Sequence, residues 1–282
     1  MPSCVYNVLI VDDEPAMLEL TKDFLSEEGG LLVSTIGSGM GALELIQRSN
    51  FDVIVSDYQM PEMDGIGLLK ALRERGDRIP FILFTGKGRE EVAIEALNNG
   101  ADFYIRKGTD VVAQFAELRN AIIHLAQMKG AEELIDGIFD TAPLMIMVVD
   151  EERRIQTLNK ASLEFTTRSR RDLVGLRCGI AFECDNSKEN EQGCGFSIRC
   201  KECNVWGTVL RTIKDGVKLQ RVEAVIPSYY GRAGRDLDLL ISSAPIWSFG
   251  KRLALVCVED ITELRERHRG SGRVEGAAEA GQ

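Results

Sequence analysis

Short apolar runs alternate with segments of helical periodicity through the first 125 residues of the chain. The runs are rich in β-branched and aromatic residues, whereas the segments between them repeat apolar residues every three or four positions. This regular alternation predicts an α/β fold, a doubly wound five-stranded parallel sheet with helices on both faces. The predicted strands are Val8–Val11, Leu31–Ile36, Val53–Val55, Phe81–Phe84 and Phe103–Ile105.

Polar side chains follow four of these runs at the point where each run ends. Asp12 and Asp13 follow the first run, Asp57 the third, Thr85 the fourth and Lys107 the fifth. Because the carboxyl ends of parallel strands form the ligand crevice of such a sheet, we expect these side chains to converge. Three crowded carboxylates repel one another unless a cation lies among them, and hard oxygen ligands suit Mg²⁺. One carboxylate can then act as a nucleophile toward a phosphoryl group, so phosphoryl acceptance is predicted.

The same five residues lie within longer sequence motifs. The motifs read V-D-D-E-P at 11–15, S-D-Y-Q-M-P-E-M-D-G at 56–65, F-T-G at 84–86 and Y-I-R-K at 104–107. In this order and at these intervals they resemble the signature of two-component response-regulator receiver domains. The resemblance covers residues 5–125 and implies a flavodoxin-like receiver domain. It also implies a phosphorelay partner, either a sensor histidine kinase or a phosphotransfer protein.

The resemblance further implies an aspartyl phosphate and a magnesium ion at the strand ends. By position, Asp57 matches the phosphoacceptor of the family. Asp12 and Asp13 match its metal-binding acidic pair, and the backbone carbonyl of Gln59 matches a further Mg²⁺ ligand. Asp57 is then expected to be both the nucleophile and a metal ligand.

A second group of residues matches the part of the family that responds to phosphorylation. Thr85 matches the switch hydroxyl, Tyr104 the aromatic side chain that changes rotamer, and Lys107 the cation that pairs with the phosphoryl group. Gly108 departs from the family, which usually has proline after this lysine. The departure puts the usual cis peptide and the local loop geometry in question, because cis peptide bonds are essentially restricted to proline.

An apolar pattern of helical spacing continues from Val111 to about Phe139, with Gly130 as a candidate break. We expect a helical linker at residues 126–140. The pattern resembles a signalling helix that joins two modules, but it is equally compatible with a last receiver helix followed by an ordinary linker. Both interpretations stay open.

The second half of the chain has a different character. Its apolar runs follow one another without regular helices between them, which predicts an α+β domain with an antiparallel sheet. The short motifs N-K-A at 159–161, L-V-G at 173–175 and D-I-T at 260–262 resemble a PAS sensor domain, expected over residues 141–262. A short helix and a flexible tail are expected at 263–282. The predicted strands are Leu144–Val149, Ile155–Leu158, Leu239–Ser242 and Leu253–Val258.

Five of the seven cysteines lie between Cys178 and Cys203. The last four have the intervals C-x9-C-x5-C-x2-C, and four thiolates can close a tetrahedral Zn²⁺ site or hold an iron–sulfur cluster. The single C-x2-C pair favours the cluster, because zinc ribbons usually have two such pairs. Redox-active thiols without a metal and purely structural cysteines stay open. The candidate ligands are Cys184, Cys194, Cys200 and Cys203.

The segment that carries these cysteines resembles a cysteine-bearing insertion found in some bacterial and archaeal PAS domains. The similarity marks the same four candidate ligands and leaves Cys178 as an extra cysteine. Nearby positive charge favours the deprotonated form of a thiol. We therefore expect thiolates beside the four basic residues of the segment, which are Arg177, Lys188, Arg199 and Lys201.

Composition excludes several functional classes. The net charge is −10, the excess acid lies in the first half, and no basic patch offsets it, so we expect no nucleic-acid binding. The sequence has no apolar run of about 18–20 residues and no signal peptide, so we expect a cytoplasmic protein without a membrane span. Without an obvious acid/base group or substrate cap beside Asp57, enzyme activity is not expected. An alternative function is a redox or metal sensor in which the receiver is a regulated scaffold. A homodimer formed through the PAS or receiver domain stays open.

Overall fold

The structure is a computed structural model that describes residues 5–27, 29–86, 90–229 and 235–267, with side chains described except at 228, 229 and 235. The chain divides into two compact units, Met1–Leu134 and Ile135–Gln282. The finer limits at 125/126 and 140/141 stay predictions. Residues 262–267 are helical, and the predicted tail from 268 onward lies outside the described residues.

The first unit contains a parallel sheet with the strand order β2-β1-β3-β4-β5. Each strand includes the run predicted from the sequence, and four of the five extend beyond it by one or two residues. This sheet confirms the doubly wound prediction. Its strands are β1 (Tyr6–Val11), β2 (Leu31–Ile36), β3 (Val53–Ser56), β4 (Phe81–Thr85) and β5 (Phe103–Arg106).

Five helices follow these strands in turn. Two begin at capped residues: the side chain of Ser38 accepts a hydrogen bond from the Gly41 N–H, and Asp64 accepts one from the Gly67 N–H. Apolar residues of the sheet and the helices form two buried clusters in this unit. The helices are α1 (Pro15–Glu27), α2 (Gly39–Ile46), α3 (Gly65–Glu74), α4 (Glu90–Asn98) and α5 (Val111–Thr141).

Helix α5 runs without interruption through Gly130, so the break predicted there is wrong. A single glycine in a helix costs about 1 kcal/mol relative to alanine, which the hydrogen bonds and packing of a long helix outweigh. The preceding residue, Lys129, anchors this part of the helix by donating a hydrogen bond from Nζ to the Phe51 carbonyl at 2.9 Å.

The second unit is built on an antiparallel sheet with the strand order β7-β6-β10-β9-β8. The sheet confirms the predicted α+β class for this half of the chain. Its strands are β6 (Met145–Val149), β7 (Ile155–Leu158), β8 (Leu219–Tyr229), β9 (Arg235–Ser248) and β10 (Lys251–Asp260).

Helices do separate β7 from β8, contrary to the sequence prediction, whereas β6 and β7, and β9 and β10, follow one another without a helix. The longest begins after Cys203, buries Val209 and Ile213 on one face, and ends at Gly216, which has a left-handed φ of 72°. The sequence carries a signal for this helix, in apolar residues four apart and a terminal glycine. The helices are α6 (Lys160–Thr166), α7 (Arg170–Leu173), α8 (Cys178–Ala181) and α9 (Asn204–Asp215).

None of the helices within the described ranges combines the length and the apolar character needed to cross a membrane.

Candidate functional site

The carboxyl ends of the parallel strands bring the lysine and two of the predicted carboxylates into direct contact. Lys107, just past β5, donates from Nζ to Asp12 Oδ2 at 2.7 Å and to Asp57 Oδ1 at 2.8 Å. Asp12 follows β1 and Asp57 follows β3, the two strands that are neighbours at the centre of the sheet. The parallel register therefore places one ammonium group between two carboxylates that are 45 residues apart in sequence.

Backbone amides fix the second oxygen of each of these carboxylates. Asp12 Oδ1 accepts a hydrogen bond from the Glu14 N–H at 2.9 Å, and Asp57 Oδ2 accepts one from the Gln59 N–H at 2.7 Å. Both contacts are local Asx-type turns, in which a side chain binds the backbone two residues further on. Each carboxylate is thus oriented by its own turn and by the shared lysine.

These groups line an open pocket of about 550 Å³. Asp13 and Gln59 are exposed there and Asp57 is half-buried, whereas Asp12 is only 5% exposed and lies behind Lys107. Asp13 is consequently the member of the acidic pair that faces the pocket itself. Seven further described lining residues had no role assigned from the sequence, although each lies within or beside a motif: Glu14, Met17, Tyr58, Met60, Pro61, Asp64 and Gly86.

The charge of Lys107 is secured by its partners. Burial by itself would lower the pKa of this ammonium group, but the hydrogen bonds to Asp12 and Asp57 and their negative charge outweigh burial and raise the pKa above its usual value of 10.5. The lysine is therefore cationic at neutral pH. One ammonium cannot neutralise three carboxylates, so the pocket keeps an excess of negative charge suited to a divalent cation.

The two predicted switch residues lie near this pocket in different environments. Thr85, the last residue of β4, lines the pocket and is 1% exposed. Tyr104 in β5 is half-buried and packs against the apolar cluster that contains Leu83. Their movement on phosphorylation stays a prediction, as do the roles of Asp57 as phosphoacceptor and of the Gln59 carbonyl as a metal ligand.

Gly65 is a functional position that the sequence interpretation quoted without assigning it a role. A Cβ atom at this first residue of α3 would lie 2.2 Å from the Asp57 carbonyl oxygen and 2.8 Å from Leu83 Cδ1. No side chain fits such an approach without moving the Asp57 backbone. The only sequence signal was a glycine directly after an N-cap aspartate.

The loop after Lys107 uses the glycine that stands where the family usually has proline. Among the described residues no peptide bond is cis. The Gly108 N–H donates to Gln114 Oε1 at 2.7 Å, and Gln114 is 8% exposed on α5. Proline has no N–H to donate, so this contact depends on the departure from the family.

The five clustered cysteines of the second unit line one small cavity of about 40 Å³. Apolar side chains form much of its wall, and Arg153 also borders it. The Arg153 guanidinium lies 5.7 Å from the ring of Trp206 and 5.5 Å from the ring of Phe196. The cysteines that the sequence grouped by spacing are therefore grouped in space as well: Cys178, Cys184, Cys194, Cys200 and Cys203.

The expectation of thiolates stabilised by neighbouring basic residues is wrong for this arrangement. Burial raises the pKa of Cys178 to about 12 and that of Cys184 to about 11, and it also raises the pKa of Cys194 and Cys203. Three of the basic residues contact partners other than the sulfurs. These contacts are Lys188 with Asp185, Arg199 with Glu189, and Arg177 stacked on Phe196. The fourth, Lys201, is exposed.

Each of the five sulfurs nevertheless faces a backbone amide, which for Cys178 is its own. The Gly195 N–H donates to Cys200 Sγ at 3.3 Å, and the backbone of Gly179 hydrogen-bonds to Cys194. Cys184 and Cys203 each receive two such bonds, from the amides two and three residues further on. The amides around Cys184 and Cys203 belong to Asn186, Ser187, Val205 and Trp206.

Neither site is a finished metal centre. Over the ranges that the structure describes, no group of three or more histidine, cysteine, aspartate or glutamate side chains is arranged so that it could hold an ion. The strand-end pocket and the cysteine cavity are sets of candidate ligands, and their metals stay predictions.

Comparison with known protein families divides the chain in the same way. The response regulator receiver domain model matches residues 8–122, and a PAS domain model matches residues 143–263. An uncharacterized 14.6 kDa protein of Leptolyngbya boryana is 37% identical over 106 residues, which are 37% of this chain and 80% of that protein.

Other relatives are similar to part of the chain. The probable transcriptional regulatory protein TcrX of Mycobacterium tuberculosis is 35% identical over 113 residues, 40% of this chain and 48% of that protein. The solved receiver domain of the Francisella response regulator 1452 is 34% identical with a TM-score of 0.40, covering 44% of this chain and 98% of that one. The chain spans about a third to a half of the length of the first curated relatives.

Proposed function

Because the chain belongs to the response-regulator receiver family over residues 8–122 and carries a PAS domain at 143–263, we propose that Asp57 accepts a phosphoryl group in a phosphorelay. The donor is the phosphohistidine of a partner histidine kinase or phosphotransfer protein. The observation that carries the proposal is the lysine bridge, in which Lys107 binds Asp12 and Asp57 at once on the edge of an open pocket.

In the transfer, a carboxylate oxygen of Asp57 attacks the phosphorus atom of the donor. The new O–P bond forms as the P–N bond to the histidine breaks, and the leaving imidazole takes a proton from solvent. The Gln59 N–H and the Lys107 ammonium hold the Asp57 carboxylate in one orientation before the attack. After the attack, the same ammonium can pair with the phosphoryl oxygens, and the Thr85 hydroxyl at the pocket wall can bind one of them.

The residues present fit a magnesium ion. The donors are hard carboxylate oxygens, and Asp13 and Asp57 both line the pocket. Asp12, Asp13, Asp57 and the Gln59 carbonyl would hold the ion. When bound, it would neutralise charge on the transferred phosphoryl group.

The change at Asp57 is proposed to act through the neighbouring strand ends. An added phosphoryl group brings negative charge beside Thr85 and Lys107, and the resulting movement alters the surface that includes β5. The PAS domain would sense a ligand or redox state, and the two signals would be coupled within one chain. We propose no turnover of small phosphate substrates, so the protein would act as a switch and not as an enzyme.

Labelling with a radioactive small phosphodonor tests the assignment. With acetyl [³²P]phosphate and Mg²⁺, the full chain is expected to become labelled in acid-stable, base-labile form, whereas Asp57→Asn is expected to lose the label. Asp23→Asn, an exposed aspartate on α1, is the matched control and should label like the unchanged chain. Label retained by Asp57→Asn would contradict the assignment, and continuous release of free phosphate at a high rate would support a hydrolase.

A further inference from the structure

The hairpin of β9 and β10 projects beyond the strands beside it. Its closing pair is Ser248 with Lys251, whereas the described pairing of β6 with β10 ends at Ala254. The pairing of β8 with β9 likewise ends at Ser243. Among the described strand pairs, the last part of the hairpin is therefore a ribbon of two strands. The end of α9 contacts this ribbon, because Arg252 Nη1 donates hydrogen bonds to two of its carbonyls.

The turn of this hairpin has an aromatic residue in an unfavourable place. Phe249 and Gly250 are its two loop residues, with φ values of 47° and 74°. Such a turn favours asparagine followed by glycine, and a bulky side chain at positive φ is an outlier. Phe249 is also fully exposed, and Trp247 is 67% exposed. The chain thus keeps two exposed aromatic side chains at a turn where a small polar residue would fit better.

Positive charge accompanies the aromatic residues. Lys251 is exposed, and the Arg252 guanidinium lies 5.0 Å from the centre of the Trp247 ring. Residues 247–252, here called the hairpin tip, include no acidic residue. Two carboxylates line the same groove as part of the tip: Glu151 and Glu152. Aromatic contact would therefore supply most of the binding energy, while the two cations would favour an acidic partner surface.

A pocket at the other end of β10 has the complementary character. It has a volume of about 390 Å³ and three acidic lining residues: Glu259, Asp260 and Glu263. Its other lining residues are apolar: Pro143, Leu144, Met145, Ala161, Phe165 and Val258. Glu259 and Glu263 form ion pairs with arginines at 3.4 and 3.5 Å, but these pairs are exposed and contribute little. This acidic pocket therefore offers an apolar wall and negative charge to a partner.

We propose that two copies of the chain form a dimer in which the hairpin tip of each copy occupies the acidic pocket of the other. Phe249 enters the apolar part of the pocket, and Lys251 pairs with its carboxylates. The contact removes exposed aromatic surface from water and brings opposite charges together. The proposal is independent of phosphoryl transfer to Asp57, and either can fail without the other.

The positions of the tip and the pocket on one strand favour a second copy as the partner. Lys251 and Val258 are seven residues apart on β10, which is roughly 24 Å at about 3.4 Å per residue. When a twofold axis sets the two β10 strands antiparallel, each tip can reach the other copy's pocket and both contacts form at once. Such a mutual contact closes as a dimer, whereas a one-way contact would continue as an open chain.

Sedimentation velocity of the full chain over a range of concentrations tests the proposal. We expect a monomer–dimer equilibrium for the unchanged chain. Phe249→Asn is expected to weaken dimerisation about 10-fold or more, because it removes an aromatic anchor from both contacts. Asparagine suits this turn better than phenylalanine, so the loss would not come from misfolding. Ile198→Asn is the matched control, at an isoleucine of the same unit that is 85% exposed, and should dimerise like the unchanged chain.

A charge exchange tests which surfaces meet. Lys251→Glu and Glu263→Lys are each expected to weaken dimerisation about 10-fold or more, since each places like charges in the contact. An equimolar mixture of the two variants is expected to dimerise more tightly than either variant alone. In the mixed dimer one contact is unchanged, and the other again joins opposite charges. A native circular dichroism spectrum establishes that each variant is folded.

Four results would overturn the proposal. The first is a chain that stays monomeric up to its solubility limit, and the second is equal dimerisation by Phe249→Asn and the unchanged chain. The third is a mixture of the charge variants that associates no better than either variant alone. The fourth is growth into open oligomers, which would replace the mutual contact by a one-way contact.

Discussion

Gly65 packs so closely against the Asp57 backbone that a side chain is excluded. The Asp57 carbonyl approaches to 2.2 Å of the position that a Cβ atom would take. The backbone of the loop that carries Asp57 and the start of α3 are therefore packed against each other at this point. Any β-carbon at Gly65 has to displace the Asp57 backbone.

We expect Gly65→Ala to lower the free energy of unfolding of the first unit by about 1–3 kcal/mol, the usual cost of overpacking. It should also slow phosphoryl labelling of Asp57, although that residue is unchanged. Urea unfolding and acetyl phosphate labelling are the measurements. Gly130→Ala is the control, because a Cβ there meets nothing within 4 Å. It should stabilise the helix by about 0.4–1 kcal/mol. Equal effects of the two substitutions would contradict the steric argument.

Residues at strand ends were the part of the site that could be predicted from sequence. Asp57 and Lys107 end apolar runs, and the geometry of parallel strands alone places such residues together. The contact between Gly65 and Asp57 could not be predicted in this way, because it depends on how closely α3 approaches the loop. Likewise, the burial that raises the thiol pKa values depends on tertiary packing that a count of neighbouring lysines and arginines does not reveal.

At the scale of elements, the loop between β5 and α5 contains Gly108, where the family usually has proline. This difference changes how the loop is held. The Gly108 N–H binds Gln114 Oε1 at 2.7 Å and so ties the loop after Lys107 to the first turns of α5. Because Gln114 is nearly buried, its amide oxygen has little access to solvent. The loop is thus fastened by a contact that a proline at this position could not make.

Gly108→Pro is therefore expected to destabilise the first unit by about 1–3 kcal/mol, the cost of leaving a buried acceptor unpaired. Gly108→Ala keeps the N–H, and its Cβ meets nothing within 4 Å, so it should be close to neutral. Thermal unfolding of the two variants measures the difference. A proline variant as stable as the alanine variant would show that the hydrogen bond contributes nothing.

Elements with regular apolar spacing between clear turn signals could be predicted in both halves of the chain, and two elements of the second half could not. Strands β2 and β7 have the predicted limits, whereas α9 and β8 were missed. The 11-residue strand β8 pairs with β9 through two irregularities of register, which disturb the alternation that identifies a strand. Helix α9 begins directly after Cys203, which is the last of the cysteines that the sequence predicts as metal ligands.

At the scale of the whole molecule, each of the two units has an apolar core of its own. The first unit has two buried clusters on the faces of its parallel sheet, and the second has its own cluster on the antiparallel sheet. Leu72 in the first unit is 1% exposed, and Ile241 in the second unit is fully buried. Each core has the size and composition of an independent domain core.

Two separate unfolding transitions should follow from this division. Leu72→Ala is expected to lower the stability of one transition by about 2–5 kcal/mol, and Ile241→Ala that of the other by a similar amount, because each leaves a cavity in its own core. Calorimetry of the full chain resolves the two transitions. The control is Leu32→Ala, at a leucine on β2 that is 60% exposed, and it should shift neither transition. A single transition shifted equally by both core substitutions would mean that the two units unfold as one.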